Sequence, residues 1–467
     1  MADDLAFATI AELGRLLRQK QTSATELAVY FLDRLERLGP QFNAVVTVTR
    51  ERALAEAAQA DREIRQNKWR SQLHGIPYGV KDLLATKGYP TTWGAQPYRE
   101  QKFDTDATVV DRLGAAGGVL VAKLAMVELA GGMGYNQANA SFTGPGKTPW
   151  NTAYWSGGSS SGPGAAVAAG LVPFAIGSET SGSILTPAAY CGVTGLRPTY
   201  GLVSRHGAMA LAWTMDKLGP MGRSAEDCAQ VLAIIAGKDP KDRSSVARGF
   251  VVPAPTSQRR RFRVGVPKGA DKDIQPEVAA NFRASLNALA ESIELVEDVE
   301  PLDLPYSAVA GMIVAAEGAS AFDDLLKDGR LKQLTAPEDR TGGYPALAIS
   351  APDYLRALRV RRLLQRALDA FLKQYDVIAV PTRNTVASPL DKPFREGWPG
   401  ITGGANIIGP TNVVGVPGVS VPNGFGVQNL PTGLSFVARA FDEAKLVSLA
   451  RLYQHRTDWH RRRPSIT

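Results

Sequence analysis

Five short apolar stretches constrain this chain more than any other feature: GGVLVAK (117–123), LVPFAIG (171–177), RVGVP (263–267), DVIAVPT (376–382) and GVSVPN (418–423). Each has the length of a buried strand and is short for a stable helix. Helical periodicity lies elsewhere. In SATEL (23–27), Ser23 and Glu26 form a capping-box pattern, and Leu27, Tyr30, Phe31, Leu35 and Leu38 follow at helical spacing until Gly39-Pro40. Further helices are predicted over 46–66, 106–116 and 353–374. Helices alternating with short buried strands predict an α/β layered fold. With 467 residues, 44% of them apolar, the chain can bury a large core as one extended domain. The polar, proline-bearing stretch 237–262 reads as an excursion joining two halves of one sheet.

Two cysteines, Cys191 and Cys228, cannot frame a disulfide scaffold and favour a reducing compartment. The opening MADDLAFATIAELGRLL lacks the basic start of a signal peptide, and no uncharged run reaches the roughly 18 residues of a membrane helix. A soluble cytoplasmic protein with no membrane partner is expected. The net charge of +8 gathers in RRRFR (259–263), RALRVRRLLQR (356–366) and HRTDWHRRR (455–463). None of these runs interleaves aromatics with glycine, and no helix-turn-helix or zinc spacing accompanies them. They read as solvated faces, and no nucleic-acid partner is expected.

Two loops rich in serine and glycine, SGGSSSGPG (156–164) and GSETSGSILTP (177–187), flank the apolar stretch AAVAAGLVPFAIG. SFTGPGKTPW (141–150) approaches a phosphate loop, but Ser141 takes the place of the first glycine and Pro149-Trp150 replaces the start of a helix. The histidines, His74, His206, His455 and His460, are scattered, so neither a metal site nor a histidine base is predicted. A serine can instead be activated by a lysine that burial keeps neutral. HGIPYGVKDLL ends a short apolar strand on Lys81 beside Asp82. Taken alone, Lys81 reads as a strand-end lysine snorkelling to water next to an acid.

Three segments together, GIPYGVKD (75–82), GGSSSG (157–162) and GSETSGSILTPAAYCGVTGLRPTYGLVS (177–204), resemble the signature of the amidase signature family. The likeness continues through MDKLGPMGRSAEDCA (215–229), YDVIAVPT (375–382), GVPGVSVPNGF (415–425) and LPTGLSFVARAFDEAKL (430–446). It covers roughly residues 5 to 455. The resemblance implies a single domain with a central mixed β-sheet covered by α-helices on both faces. Within residues 1–467 it implies an N-terminal helical part to about 70, a signature core over about 71–230, a variable substrate-side part over about 237–400 and a C-terminal part of the core over 401–467. It further implies that Ser183 is the nucleophile, Lys81 the base and Ser159 the serine that passes the proton between them. A cis peptide is expected before Ser159, and the amides of Thr180, Ser181, Gly182 and Ser183 are expected to form the oxyanion hole. The loop LAGGMGYN (129–136) is expected to line the acyl side of the pocket, with Gly132 and Met133 nearest. No cofactor or metal is implied.

The chain departs from the family where many members have an arginine two residues after the nucleophile; Leu185 stands there. That loss of a fixed cation favours a neutral, apolar or aromatic amide, anilide, carbamate or ester, so urethanase and esterase activity fall within the expectation. Ser181 in place of glycine puts a side chain beside the oxyanion amides. Trp93, Trp213 and Tyr135 are candidates for a pocket wall. A small-molecule substrate and a monomer or homodimer are expected. The rival reading is the glutamine-hydrolysing component of a tRNA-dependent amidotransferase, which the missing arginine disfavours.

Overall fold

The computed structural model describes residues 5–254, 261–403 and 407–466. Its centre is an 11-stranded sheet. In chain order the strands are β1 (Val45–Val48), β2 (Pro77–Lys81), β3 (Val119–Leu124), β4 (Phe174–Glu179), β5 (Thr194–Arg197), β6 (Lys217–Gly222), β7 (Phe262–Pro267), β8 (Ile293–Val299), β9 (Val377–Pro381), β10 (Gly418–Phe425) and β11 (Pro431–Val437). Their spatial order is β1-β3-β2-β4-β6-β5-β10-β11-β9-β7-β8. β2 is parallel to both β3 and β4, and β7 is parallel to β8 and β9. The remaining pairings are antiparallel, so the sheet is mixed as expected.

All five apolar stretches named above are strands, and four of them are buried along their whole length or all but one residue. The exception is β7, whose first two residues are more open. Near-continuous apolarity, rather than alternation, follows from cover on both faces. Helix α1 (Ile10–Arg18), α2 (Ala24–Leu38) and α3 (Arg50–Arg65) form the N-terminal part. Ser23 accepts the Glu26 amide while Glu26 accepts the Ser23 amide, so the capping box is made. The predicted helix over 46–66 is corrected at its start. Val45–Val48 is a strand, because it can pair antiparallel with β3 at the edge of the sheet, and the helix begins only at Arg50.

The stretch 237–262 does join β6, in one half of the sheet, to β7 in the other; its residues 255–260 lie outside the described residues. One hydrophobic core runs continuously from Ala8 to Tyr453. A smaller cluster around Trp155, Tyr190, Val386 and Leu430 stands apart from it. The basic run 356–366 lies on a helix, Ala351–Leu372, and is only partly a solvated face. Arg361 turns inward and donates to the carbonyls of Val413 and Thr214. Among the described residues no helix is long and apolar enough to cross a membrane.

Candidate active site

Parallel pairing of β2 with β4 brings the C-terminal ends of both strands to the same edge of the sheet. Lys81 ends β2, and Ser178 and Glu179 end β4. Every residue of both strands is buried, so the Lys81 side chain does not snorkel; it is fully enclosed. Its Nζ lies 2.7 Å from the Ser159 hydroxyl and 2.9 Å from the Ser178 hydroxyl. Burial holds the Lys81 amine well below the usual lysine range, opposed by the carboxylates of Asp216 and Glu179. A neutral amine carries a lone pair, and the 2.7 Å contact can then run with the Ser159 hydroxyl as donor.

Ser159 lies in the loop that precedes helix α4 (Ser161–Ala168), and the Gly158–Ser159 peptide is cis. Gly157 precedes it at φ +79°, where a Cβ would meet the Pro187 backbone at 2.7 Å. Only glycine allows that approach. The four serines of this loop divide their work. The Ser160 hydroxyl accepts the Ser178 amide at 3.2 Å and donates to the Ser178 carbonyl at 3.1 Å, which ties the loop to β4. Ser156 and Ser161 bond to nearby carbonyls, and Ser159 alone faces the lysine.

The second loop runs from β4 to helix α5 (Leu185–Cys191) and carries Ser183. The two loops meet where the Ser160 amide donates to the Ser183 carbonyl at 3.3 Å. Ser183 retains 5% exposure, and among the described residues its hydroxyl makes no hydrogen bond. The structure thus joins Lys81 to Ser159 and sets Ser183 on the adjacent turn, without a hydrogen bond between the two serine hydroxyls. Such contacts commonly tighten only with substrate bound. No acceptor among the described residues takes the amides of Thr180, Ser181, Gly182 or Ser183. Gly182 at φ +89° lets the turn present them together. Consecutive free amides of this kind are suited to an anionic oxygen.

Two buried carboxylates hold this turn. Asp216 accepts the Thr180 hydroxyl at 2.6 Å and the amides of Leu211 and Ala212. Glu179 accepts the amides of Ile184 and Leu185, at 2.8 and 3.0 Å, together with Arg197 and Asn412, both at 2.8 Å. Burial alone raises the Glu179 carboxyl, but the Arg197 guanidinium and the hydrogen bonds outweigh it and leave it lowered. No local pattern in the sequence marks Glu179; its role as the anchor of the turn follows from partners 18 and 233 residues away. Leu185 is buried, and the Arg197 beneath it is spent on Glu179 and Thr411.

Beside Gly158 and Ser181 opens a cleft of about 370 Å³, walled by Tyr135, Trp155, Tyr190, Phe394 and Trp398. Trp155 and Phe394 stack at 4.3 Å, and Tyr135 meets Phe394 edge-on at 5.7 Å. Segment 141–150 buttresses the wall: the Thr148 hydroxyl donates to the Tyr190 carbonyl and the Trp150 ring nitrogen to the Cys191 carbonyl. Of the loop 129–136, Tyr135 reaches this cleft. Met133 points inward and packs beneath Gly343, and Gly132 lies against Leu211 and Phe322. Trp213 lines a different cavity, of about 230 Å³, that touches Ser178 and Thr180 from the other side. Trp93 packs with Tyr98 and Phe322, away from both. Of the two histidines nearest the signature segments, His74 is a core residue whose Nδ1 accepts the Arg70 amide at 3.0 Å.

The loop 129–136 is itself held by Asp339, which accepts the Tyr135 amide at 3.2 Å beside the buried Glu128. Burial and the Glu128 charge push the Asp339 carboxyl up to about 7. Its unfolded value is near 3.9, so its contribution is full below that pH and is lost as pH rises through about 7. Asp339→Asn is therefore expected to stabilise the protein relative to wild type at pH 8, by about 1–3 kcal/mol, and not at pH 4. Denaturant unfolding of both proteins across that range checks this.

The family model described as Amidase matches residues 26–447. From Chloroflexus aggregans, the A chain of glutamyl-tRNA(Gln) amidotransferase is 36% identical over 492 residues, covering 99% of each chain. Its counterpart from Thiobacillus denitrificans is 37% identical over 487 residues, covering 98% of each. Among solved structures, the peptide amidase of Stenotrophomonas maltophilia superposes with a TM-score of 0.85 at 29% identity, over 98% of each chain. The corresponding amidotransferase chain of Thermotoga maritima gives 0.77 at 28% identity, over 96% of this chain and 94% of that one. The chain belongs to the amidase (amidase signature) family.

Proposed function

We propose that this protein hydrolyses an amide C–N bond through an acyl-enzyme on Ser183, with Ser159 and Lys81 as its proton relay. The observation that carries this reading is the enclosed Lys81 amine, 2.7 Å from Ser159 on the loop next to Ser183. Neutral Lys81 accepts the Ser159 proton as Ser159 accepts that of Ser183, whose oxygen attacks the carbonyl carbon. The amides of Thr180, Ser181, Gly182 and Ser183 take the charge of the tetrahedral oxygen. The relay then returns the proton to the departing nitrogen, which cannot leave as an amide anion. Water hydrolyses the ester, and no cofactor enters the sequence of steps.

The aromatic walls of the cleft favour an apolar or aromatic body on the substrate, and loop 129–136 serves the acyl side through Tyr135, while Gly132 and Met133 pack away from this cleft. Carbamates and activated esters present the same carbonyl to the same hydroxyl. A second reading, the glutamine-hydrolysing component of an amidotransferase, draws on the 36–37% identity to such proteins over nearly the full length of both chains. Free glutamine brings an ammonium, however, and no Asp or Glu lines the cleft among the described residues.

A panel of aliphatic and aromatic amides, anilides, carbamates, esters and glutamine, run on wild type and Ser183→Ala, tests both. Turnover of apolar amides that Ser183→Ala lacks is expected. Undiminished turnover in Ser183→Ala overturns the mechanism, and turnover of glutamine alone selects the second reading.

A further inference from the structure

The expectation of an uncharged substrate rests on one absence, that of an arginine at position 185. The fold supplies a cation from elsewhere. Arg383, two residues past the end of β9, lies in the wall of the aromatic cleft that also contains Gly158 and Ser181. β9 and the turn carrying Ser183 are some 200 residues apart in sequence, and the shared 11-stranded sheet brings them to one cleft. Arg383 is solvent-accessible, and among the described residues no carboxylate pairs with it. Its electrostatic neighbours are the phenols of Tyr190 and Tyr135. The Tyr135 hydroxyl reaches toward the Gly158–Ser159 peptide, for a Cβ on Gly158 would stand 2.6 Å from it. Two buried cations nearby are already paired, Arg197 with Glu179 and Lys123 with Asp82. The second arginine of the cleft, Arg395, is on the open rim and is paired with Glu396 at 3.3 Å.

A cation with no carboxylate partner among the described residues, flanked by phenols in a cleft that also carries the side chains of Asn384, Thr385 and Ser388, is the donor set of an anion subsite. The lack of any acid in the same wall disfavours a zwitterion and leaves a simple anion. We propose that Arg383 is a specificity residue that binds a carboxylate on the acyl portion of the substrate, so that the protein acts on amides with an apolar body and an anionic end. This deepens the acyl-enzyme reading above and rests on it.

The probes are two p-nitroanilides of equal acyl length, the half-anilide of glutarate, ending in a carboxylate, and the anilide of valerate, ending in a methyl group. Both are measured as substrates of wild type and Arg383→Gln. They are also measured as ligands of Ser183→Ala, with and without Arg383→Gln, where the nitroanilide quenches the fluorescence of Trp155 and Trp398. Wild type is expected to favour the glutarate compound in kcat/KM, and Ser183→Ala to favour it in binding. Arg383→Gln is expected to cut that preference about 10- to 100-fold, the range for a lost charge-assisted hydrogen bond, and Arg383→Lys to restore part of it. Equal handling of the two compounds by wild type and by Ser183→Ala, or a preference that survives Arg383→Gln, overturns the proposal. Continued turnover by Ser183→Ala would instead overturn the nucleophile and leave the binding comparison to judge Arg383 separately.

Discussion

Replacing Lys81 with methionine is expected to lower kcat/KM for an amide by about 10³-fold, the scale of a lost general base, without unfolding the protein. Methionine matches the length of the lysine stem and carries no charge to bury, so the enclosed site at the end of β2 accepts it. Thermal stability is expected to hold or rise, because burial already disfavours the lysine charge. An activated ester, whose leaving group departs without a proton, should lose far less. The difference between the two substrates is the diagnostic, since a merely misfolded site would lose both alike. In wild type, kcat/KM for the amide should fall toward acidic pH as Lys81 takes up a proton, at a pH well below the usual lysine range. That acidic limb should vanish from the residual activity of Lys81→Met. A pH profile for amide and ester on both proteins settles it; equal losses on the two substrates would count against a relay.

The second large effect is expected at Glu179. Glu179→Gln leaves Arg197 with its charge uncompensated in a site with 0% exposure, a change that typically costs about 3–5 kcal/mol. It also weakens the acceptor that holds the Ile184 and Leu185 amides, so the turn carrying Ser183 loosens. Both stability and turnover should therefore drop. Adding Arg197→Met removes the stranded charge, and the double variant is expected to recover much of the stability but not the activity. Denaturant unfolding and kcat/KM on the four proteins of the cycle separate the two contributions. The carboxyl of Glu179 is lowered in the folded state, so its stabilisation is present at neutral pH and is lost as pH falls through that lowered value.

Much of this site was legible along the chain. The strand that ends on Lys81, the two serine loops and the five apolar stretches each announce themselves within a dozen residues, because local spacing and turn chemistry are local properties. The strands that were not foreseen have the opposite character. β5 (TGLR), β6 (KLGPMG) and β11 (PTGLSFV) carry glycine, proline or charge, and they are strands because strands on both sides complete their ladders, for β5 one of them more than 200 residues on. β8 is exposed at four of its seven residues and hydrogen bonds only at the sheet's edge, so its sequence shows no buried run. The same limit misplaced the start of the helix at 46, where the pairing of Val45–Val48 with β3 outweighs helical spacing.

The residues capable of the chemistry, a lysine after an apolar strand and serines in glycine turns, are set by the sequence itself, since type and local backbone freedom need no fold to be read. What only the tertiary structure decided is which groups share a space. Burial from all sides holds the Lys81 amine well below the usual lysine range, and parallel pairing of β2 and β4 brings it to Ser159 and Ser178. The charge of the cleft was decided in the same way. Leu185 leaves the turn carrying Ser183 without a cation, but Arg383, carried after β9 in the other half of the sheet, lines the cleft, because a cleft's electrostatics sum over everything that lines it and not over its neighbours in sequence.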